Sequence, residues 1–375
     1  MVLQQIFSIP TGQLYEALEQ FLRERPEAEA FFNTNVSKIR KKVRDAETEE
    51  KQKDLYYELK MGSYLSFNDD YDVRYERYGA EQRRSPDYSV LRKGGDLNVE
   101  VKHLHEAELN RNYDKLMKSM RRRVEAEAIE TGVVVSIIAP TVESDFLPID
   151  LSYKDEHKKQ NAIVDRLIQS EDEILKFIND EMMEYKLSGR SDIKMIPLPG
   201  FGKQLQVWLS RRDNPDEATL FSGHSVISFY KTNELLKVCD VVCSKLGQMR
   251  SGEVNILAIF STARTVHRRH VGQAMELMQR LADEGNDEFF RSKSDGEVGG
   301  ANDYLEKLKS LSGIWFWTSF NTEVDEEGDP VWIGQENAKI LWRNPGANQS
   351  VPEEVEEYLL MYQAVAKAED RRSLG

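Results

Sequence analysis

Two short segments carry side chains that could do chemistry together: Ser85-Pro86-Asp87-Tyr88 and Leu97-Asn98-Val99-Glu100-Val101-Lys102. Alternate residues of a strand share a face. Glu100 and Lys102 therefore point one way, while Val99 and Val101 point the other, into a core. Lys93-Gly94-Gly95-Asp96 is a tight-turn signal. A hairpin there brings Asp87 alongside Glu100, so that two carboxylates and one ammonium converge at a sheet edge. Such a group suits phosphodiester hydrolysis. Asp87 and Glu100 offer hard oxygen ligands to Mg2+ or Mn2+, and a metal held there polarises a phosphoryl oxygen and lowers the pKa of a bound water. Lys102 would orient that water or stabilise charge growing on the phosphate, and its ammonium would hold the carboxylates ionised.

The elements that must position these residues can be read from periodicity. Residues 12–31 are expected to be helical through Leu14, Leu18, Phe21 and Leu22, with a break at Arg25-Pro26. Residues 35–66 form a second helical region, whose charged half, Lys38–Lys53, reads as a solvated face. After Phe67 the period changes to that of strands, at about 73–78, 87–91 and 97–104. A helix follows over about 109–130, then a wholly apolar strand, Val133–Ala139, of the kind buried on both faces. Farther on, the spacing predicts a helix over 153–188, β structure over 193–230, a helix over 233–249, a strand at Asn255–Ser261, a helix at Gly272–Glu284 and an exposed loop at Arg291–Asn302. Strands at Ile314–Phe320 and Ala338–Trp342 precede an acidic terminal helix. The pair 233–249 and 255–260 is a second candidate for the helix and strand that complete the first sheet. The nearer pair, within 109–139, is preferred because crossover connections are usually short.

This order of elements, with Pro86-Asp87 and Glu100-Val101-Lys102, resembles the PD-(D/E)XK nuclease superfamily over about Asp54–Pro140, a quarter of the chain. The resemblance implies an α/β, restriction-endonuclease-like mixed sheet flanked by helices, with N-terminal helices and a large α/β C-terminal extension. The domain boundaries expected on this basis are 1–48, 49–145 and 146–375. The family's preceding helix often supplies another acidic metal ligand, and Glu58 is the best match by position, with Glu49, Glu50 and Glu76 as rivals. The resemblance further implies a Mg2+- or Mn2+-dependent nuclease, endo- or exonucleolytic, acting on DNA. In several branches the helix after the motif carries a glutamine and a tyrosine, and that glutamine is absent from 109–130. A catalytically inactive nuclease-like module that binds nucleic acid or a protein partner is the alternative. An α/β enzyme of another kind would require the polar cluster to be coincidental.

On the helix after the motif, Arg111, Lys115, Lys118 and Arg122 fall on one face, suited to a phosphate backbone. Tyr113, Leu116, Met117, Met120 and Val124 form a separate apolar stripe. The rival is a solvated amphipathic helix. His103 and His105 lie on the core-side parity of their strand, which reads as packed histidines rather than ligands. His267 and His270, among arginines, would suit either phosphate contact or an exposed helix start. Trp315, Trp317, Trp332 and Trp342 read as core.

Composition bounds the class of protein. A chain of 375 residues with 40% hydrophobic and 31% charged residues can bury a sizeable core. The net charge of −14 argues against a protein that coats DNA. Residues 34–130, however, carry 21 Lys+Arg against 20 Asp+Glu, so the cations concentrate around the motif. Apolar runs are too short to span a bilayer, and no secretion signal is recognisable. Cys239 and Cys243 suit a reduced compartment. The expectation is a cytoplasmic protein with a nucleic-acid partner and no membrane association. The region after about 146 is expected to shape a substrate channel or to form a homodimer.

Overall fold

The computed structural model describes residues 2–78, 85–105, 119–120, 123–124, 132–138, 162, 165–200, 202–211, 221–224, 234–263, 266–293, 297–320, 322–324, 330–334 and 336–362. The chain divides into two compact units, one of residues 1–105 with 234–375, the other of residues 106–233. The divisions fall at 105/106 and 233/234.

The first unit opens with four helices: α1 (Leu3–Ile6), α2 (Gln13–Glu24), α3 (Glu29–Asp45) and α4 (Glu49–Leu65). Pro26 starts a 3-10 turn that ends the first helical stretch, as its missing N–H dictates. The charged region splits at Thr48, whose hydroxyl accepts from the Lys51 amide (3.3 Å) and caps α4. Glu49 and Glu50 in the first turn complement the helix dipole. Three strands follow: β1 (Asp72–Tyr75), β2 (Tyr88–Leu91) and β3 (Leu97–Leu104).

The second unit contains β4 (Val133–Ile138), α5 (Glu171–Ser188), β5 (Lys194–Leu198), β6 (Gly202–Arg211) and β7 (Phe221–His224). Its sheet order is β5-β6-β4-β7, with β4 antiparallel to β6 and parallel to β7. The buried Val133, Val135, Val207 and Leu209, with Ile174, Ile178 and Met182 of α5, supply its apolar interior. Met120 and Val124, expected on an apolar stripe, are buried.

The chain then returns to the first unit through α6 (Glu234–Lys245), a 3-10 turn at Leu246–Gln248, and β8 (Val254–Ser261). Helices α7 (Arg269–Asp283), α8 (Asp287–Lys293) and α9 (Ala301–Leu308) come next, then β9 (Gly313–Thr318). A small hairpin of β10 (Thr322–Val324) and β11 (Pro330–Trp332) precedes β12 (Lys339–Arg343) and α10 (Glu353–Leu360). Helices α8 and α9 take only the two ends of the stretch 291–302 expected to be an exposed loop.

The main sheet has the order β1-β2-β3-β8-β9-β12. β2 is antiparallel to both β1 and β3, while β3, β8 and β9 are parallel, and β12 is antiparallel to β9. The unit is therefore a mixed α/β fold with a central sheet flanked by helices. The strand that completes the sheet beside β3 is β8, paired from Leu97↔Val254 to Leu104↔Ser261. The preference for the nearer helix and strand is thus corrected: Val133–Ile138 belongs to the other sheet. Both apolar runs can form a doubly buried strand, and proximity in sequence favoured the wrong one. Every residue of β8 is buried, as suits a strand covered on both faces.

Leu55 and Leu59 of α4 share one core with Val99, Val101, Ile256 and Trp315. Trp315 is fully buried, and its indole N–H donates to the Leu359 carbonyl (3.1 Å). Trp317 is also buried, whereas Trp342 is half-buried. Gly62 marks a close approach of α4 to the sheet. A Cβ there would meet the Tyr88 ring at 2.5 Å and Phe31 at 2.6 Å.

Candidate active site

The hairpin between β2 and β3 sets the register Tyr88↔Val99, Ser89↔Asn98 and Val90↔Leu97. One step further, Asp87 lies opposite Glu100. Its backbone N–H donates to Glu100 Oε2 (3.2 Å), and its own Oδ2 accepts from the Val101 amide (2.9 Å). The turn between the strands uses Gly95 at φ 109°, in the region that disfavours side chains.

Glu58 reaches the same place from α4. Its Oε1 accepts from the Tyr75 hydroxyl (2.6 Å) and pairs with Lys42 of α3. Tyr88 donates its hydroxyl proton to the Glu58 carbonyl (2.8 Å), and the Tyr75 and Tyr88 rings stack with centroids 5.1 Å apart. This aromatic floor fixes the helix turn that carries Glu58. Lys42 also lies 3.1 Å from Glu76 Oε1 and 3.9 Å from Asp87 Oδ1. Glu76 adopts φ 45°, a left-handed backbone that costs about 1–3 kcal/mol for a non-glycine residue. Its N–H donates to the Asp87 carbonyl (2.8 Å).

A second ammonium enters from the other side. Lys245, at the end of α6, pairs with Glu100 Oε1 at 2.5 Å. The Gln248 amide faces the same carboxylate. With its nitrogen turned toward Glu100, it donates to both oxygens, at 2.8 Å to Oε2. A glutamine thus stands beside the carboxylates on the segment that precedes β8, although none occurs in 109–130.

The sequence-predicted residues therefore divide. Asp87, Glu100 and Glu58 come together. Lys102 lies on the same face of β3 as Glu100, and its ion pair is with Asp54 Oδ2 (3.7 Å), one helical turn before Glu58. The ammoniums within the carboxylate cluster are those of Lys42 and Lys245. Arg111, Lys115, Lys118 and Arg122 lie outside the described residues. Of the rivals to Glu58, Glu76 joins the cluster through Lys42. His267 is buried, and its backbone N–H donates to His270 Nδ1 (3.0 Å).

Burial and the charge of Asp87 push the Glu100 carboxyl up to about 8, against the pull of Lys245. Burial and Asp87 likewise push Glu58 up to about 7, opposed by Lys42 and the Tyr75 hydroxyl. Burial works against the Lys42 and Lys245 ammoniums, yet the carboxylates outweigh it and hold both above the ordinary lysine range. Four carboxyl groups, those of Glu58, Glu76, Asp87 and Glu100, thus face two ammoniums. Once Glu58 and Glu100 ionise, the surplus negative charge and the all-oxygen donor set fit a hard divalent cation.

Compared with family models, curated proteins and solved structures, the chain matches none. Among the described residues, no helix is long and apolar enough to cross a membrane.

Proposed function

We propose that the protein is a divalent-metal-dependent nuclease of the PD-(D/E)XK type, hydrolysing phosphodiester bonds in DNA. The observation that carries this reading is the juxtaposition of Asp87 and Glu100 across the β2–β3 register, with Glu58 delivered beside them by α4. The succession α4, β1, β2, β3, then α6 and β8, with β8 parallel to β3, supports a restriction-endonuclease-like core.

Asp87 and Glu100 would hold Mg2+ or Mn2+, with Glu58 as a further ligand or a support for one. The bound metal would supply a polarised phosphoryl oxygen and an acidified water. Glu58 and Glu100 give up the protons that burial favours when the cation replaces them. Lys102 follows Glu100 by one pleat, and its ammonium can orient the attacking water or stabilise charge on the phosphate. Lys245 and Gln248 hold the Glu100 carboxylate by hydrogen bonds and fix its direction. The buried free thiols Cys239 and Cys243 suit a reducing compartment such as the cytoplasm.

One observation favours the alternative of an inactive nuclease-like binding module. Lys42 and Lys245 already lie among the carboxylates, as they would in a purely structural ion-pair network. Calorimetric titration with Mg2+ and Mn2+, run beside cleavage assays on plasmid and single-stranded DNA, separates the two readings. Metal uptake with nicking supports the nuclease. Neither uptake at millimolar metal nor cleavage of any DNA or RNA supports the binding module.

A further inference from the structure

The end of β3 carries a second constellation that the carboxylate cluster does not use. His103 and His105 lie on the same parity of the strand, opposite to Lys102, and Asp54 of α4 faces them. One ligand atom from each of Asp54, His103 and His105 lies within 4.8 Å of the others. His105 Nε2 is 2.7 Å from Asp54 Oδ1, and His103 Nδ1 is 3.5 Å from the same oxygen.

The tautomer of His103 decides what this means. Its Nε2 lies 2.8 Å from Thr262 Oγ1. The Thr262 hydroxyl also lies 3.5 Å from the Leu104 carbonyl. With Thr262 donating there and accepting from His103 Nε2–H, Nδ1 of the neutral ring carries no proton. That Nδ1 is buried and has no hydrogen-bond partner, and the His103 side chain is fully buried. A bare nitrogen lone pair therefore faces a carboxylate oxygen, beyond the normal reach of a hydrogen bond. An unpaired buried polar atom of this kind is costly, and a cation between the two lone pairs would remove the cost.

We infer that Asp54, His103 and His105 form a binding site for one borderline divalent transition-metal ion, with Zn2+ as the representative. Two imidazoles and one carboxylate suit Zn2+ and its neighbours better than Mg2+. Metal–ligand bonds of about 2.0–2.1 Å place tetrahedral ligands about 3.3 Å apart; the His103–Asp54 separation of 3.5 Å is close to this, and the 2.7 Å His105–Asp54 hydrogen bond would lengthen to admit the ion. Thr262 would serve as the outer hydrogen-bond partner that fixes the ring of a metal-bound histidine. The Tyr57 ring, with its centroid 4.4 Å from that of His103, fixes the same ring from its face. On binding, the Nε2 proton of a neutral His105 ring would shift to Nδ1, which frees Nε2 to ligate. The fourth position stays open. Burial pushes His103 down to about 4, which keeps the ring neutral and ready to ligate.

The test is independent of the proposed nuclease site. In the full chain carrying Asp87→Asn and Glu100→Gln, Zn2+ affinity is measured by competition with a chromogenic chelator, and Co2+ is added as a spectroscopic probe. The site predicts one equivalent of Zn2+ and a visible Co2+ band. Adding His105→Gln, a half-buried position, should weaken Zn2+ by roughly 10-fold to 100-fold or more while the far-ultraviolet circular dichroism is unchanged. Asp54→Asn should do the same. Failure of the Asp87/Glu100 variant to take up Zn2+, or equal affinity with and without His105→Gln, would overturn the site. Neither result bears on Mg2+-dependent cleavage, which this variant lacks by design.

Discussion

The Asp87 amide donates to Glu100 Oε2 at 3.2 Å, so the backbone of one acidic residue holds the carboxylate of the other. With Asp87 Oδ2 anchored on the Val101 amide (2.9 Å), the two side chains are locked across the β2–β3 register. The pair is thus built before any metal arrives.

The charge of Asp87 is a burden on the metal-free protein, because it opposes ionisation of both Glu58 and Glu100. Asp87→Asn keeps an oxygen that can accept from Val101 and removes that charge. Urea unfolding without metal should show the variant equal to the wild type, or more stable by up to about 1 kcal/mol. Cleavage activity should be lost. A variant destabilised by several kcal/mol would mean that Asp87 serves the fold first.

Stability should also depend on pH with a defined sign. Glu58 and Glu100 have folded-state pKa values of about 7 and about 8, above the unfolded value near 4.3. Their contribution is fully present below about pH 4.3 and is lost as pH rises through 7 and 8. His103, lowered to about 4, contributes above about pH 6.5 and loses that contribution as pH falls through 4. Thermal melts without divalent metal should therefore fall from pH 6 to pH 9, and saturating Mg2+ should flatten the decline. A metal-free melting temperature that rises over this range would contradict the charge balance of the cluster.

Lys245, which pairs with Glu100, and Lys102, which follows it on β3 and pairs with Asp54, should behave differently. Lys245→Met leaves a buried carboxyl without its ammonium and should cost about 1–3 kcal/mol without metal, a deficit that Mg2+ reduces. Lys102→Ala should leave metal binding largely intact and slow cleavage by roughly 10²–10³-fold. Calorimetry and single-turnover kinetics on the two variants distinguish the roles. A larger catalytic loss from Lys245→Met at saturating metal would transfer the charge-stabilising role to Lys245.

Gly62→Ala tests the aromatic floor beneath Glu58. The added methyl would press on the Tyr88 ring and Phe31. Destabilisation of about 1–3 kcal/mol is expected in urea unfolding, with weakened Mg2+ binding because the Glu58 turn shifts. An unperturbed variant would show that α4 can give way at this point.

Much of the site was legible locally. The alternation of Glu100 and Lys102 with Val99 and Val101, and the Gly94-Gly95 turn, place Asp87 opposite Glu100 without long-range information. What was not legible depends on contacts far apart in the chain. Leu97–Leu104 pairs with Val254–Ser261 across more than a hundred residues, and Val133–Ala139 has the same apolar character as the true partner. Lys42 sits in a charged helix segment that reads as solvated, and only the fold turns it toward Glu58. For Lys245 and Gln248 the one available signal was their place just before the strand Asn255–Phe260, in the helix–strand pair held second. Asp54 was not marked as a candidate at all, and the partner histidines read as packing because their parity is that of the core.

If Asp87, Glu100 and Glu58 gather to hold a catalytic divalent metal, Mg2+ titration of the wild type and of Asp87→Asn by calorimetry, with plasmid cleavage followed in the same samples, will show it. The wild type should bind the metal and nick the plasmid, and Asp87→Asn should lose nicking, with metal affinity weakened at least ~10-fold. Wild-type protein that binds no Mg2+ or Mn2+ at millimolar concentration and cleaves neither DNA nor RNA would contradict it.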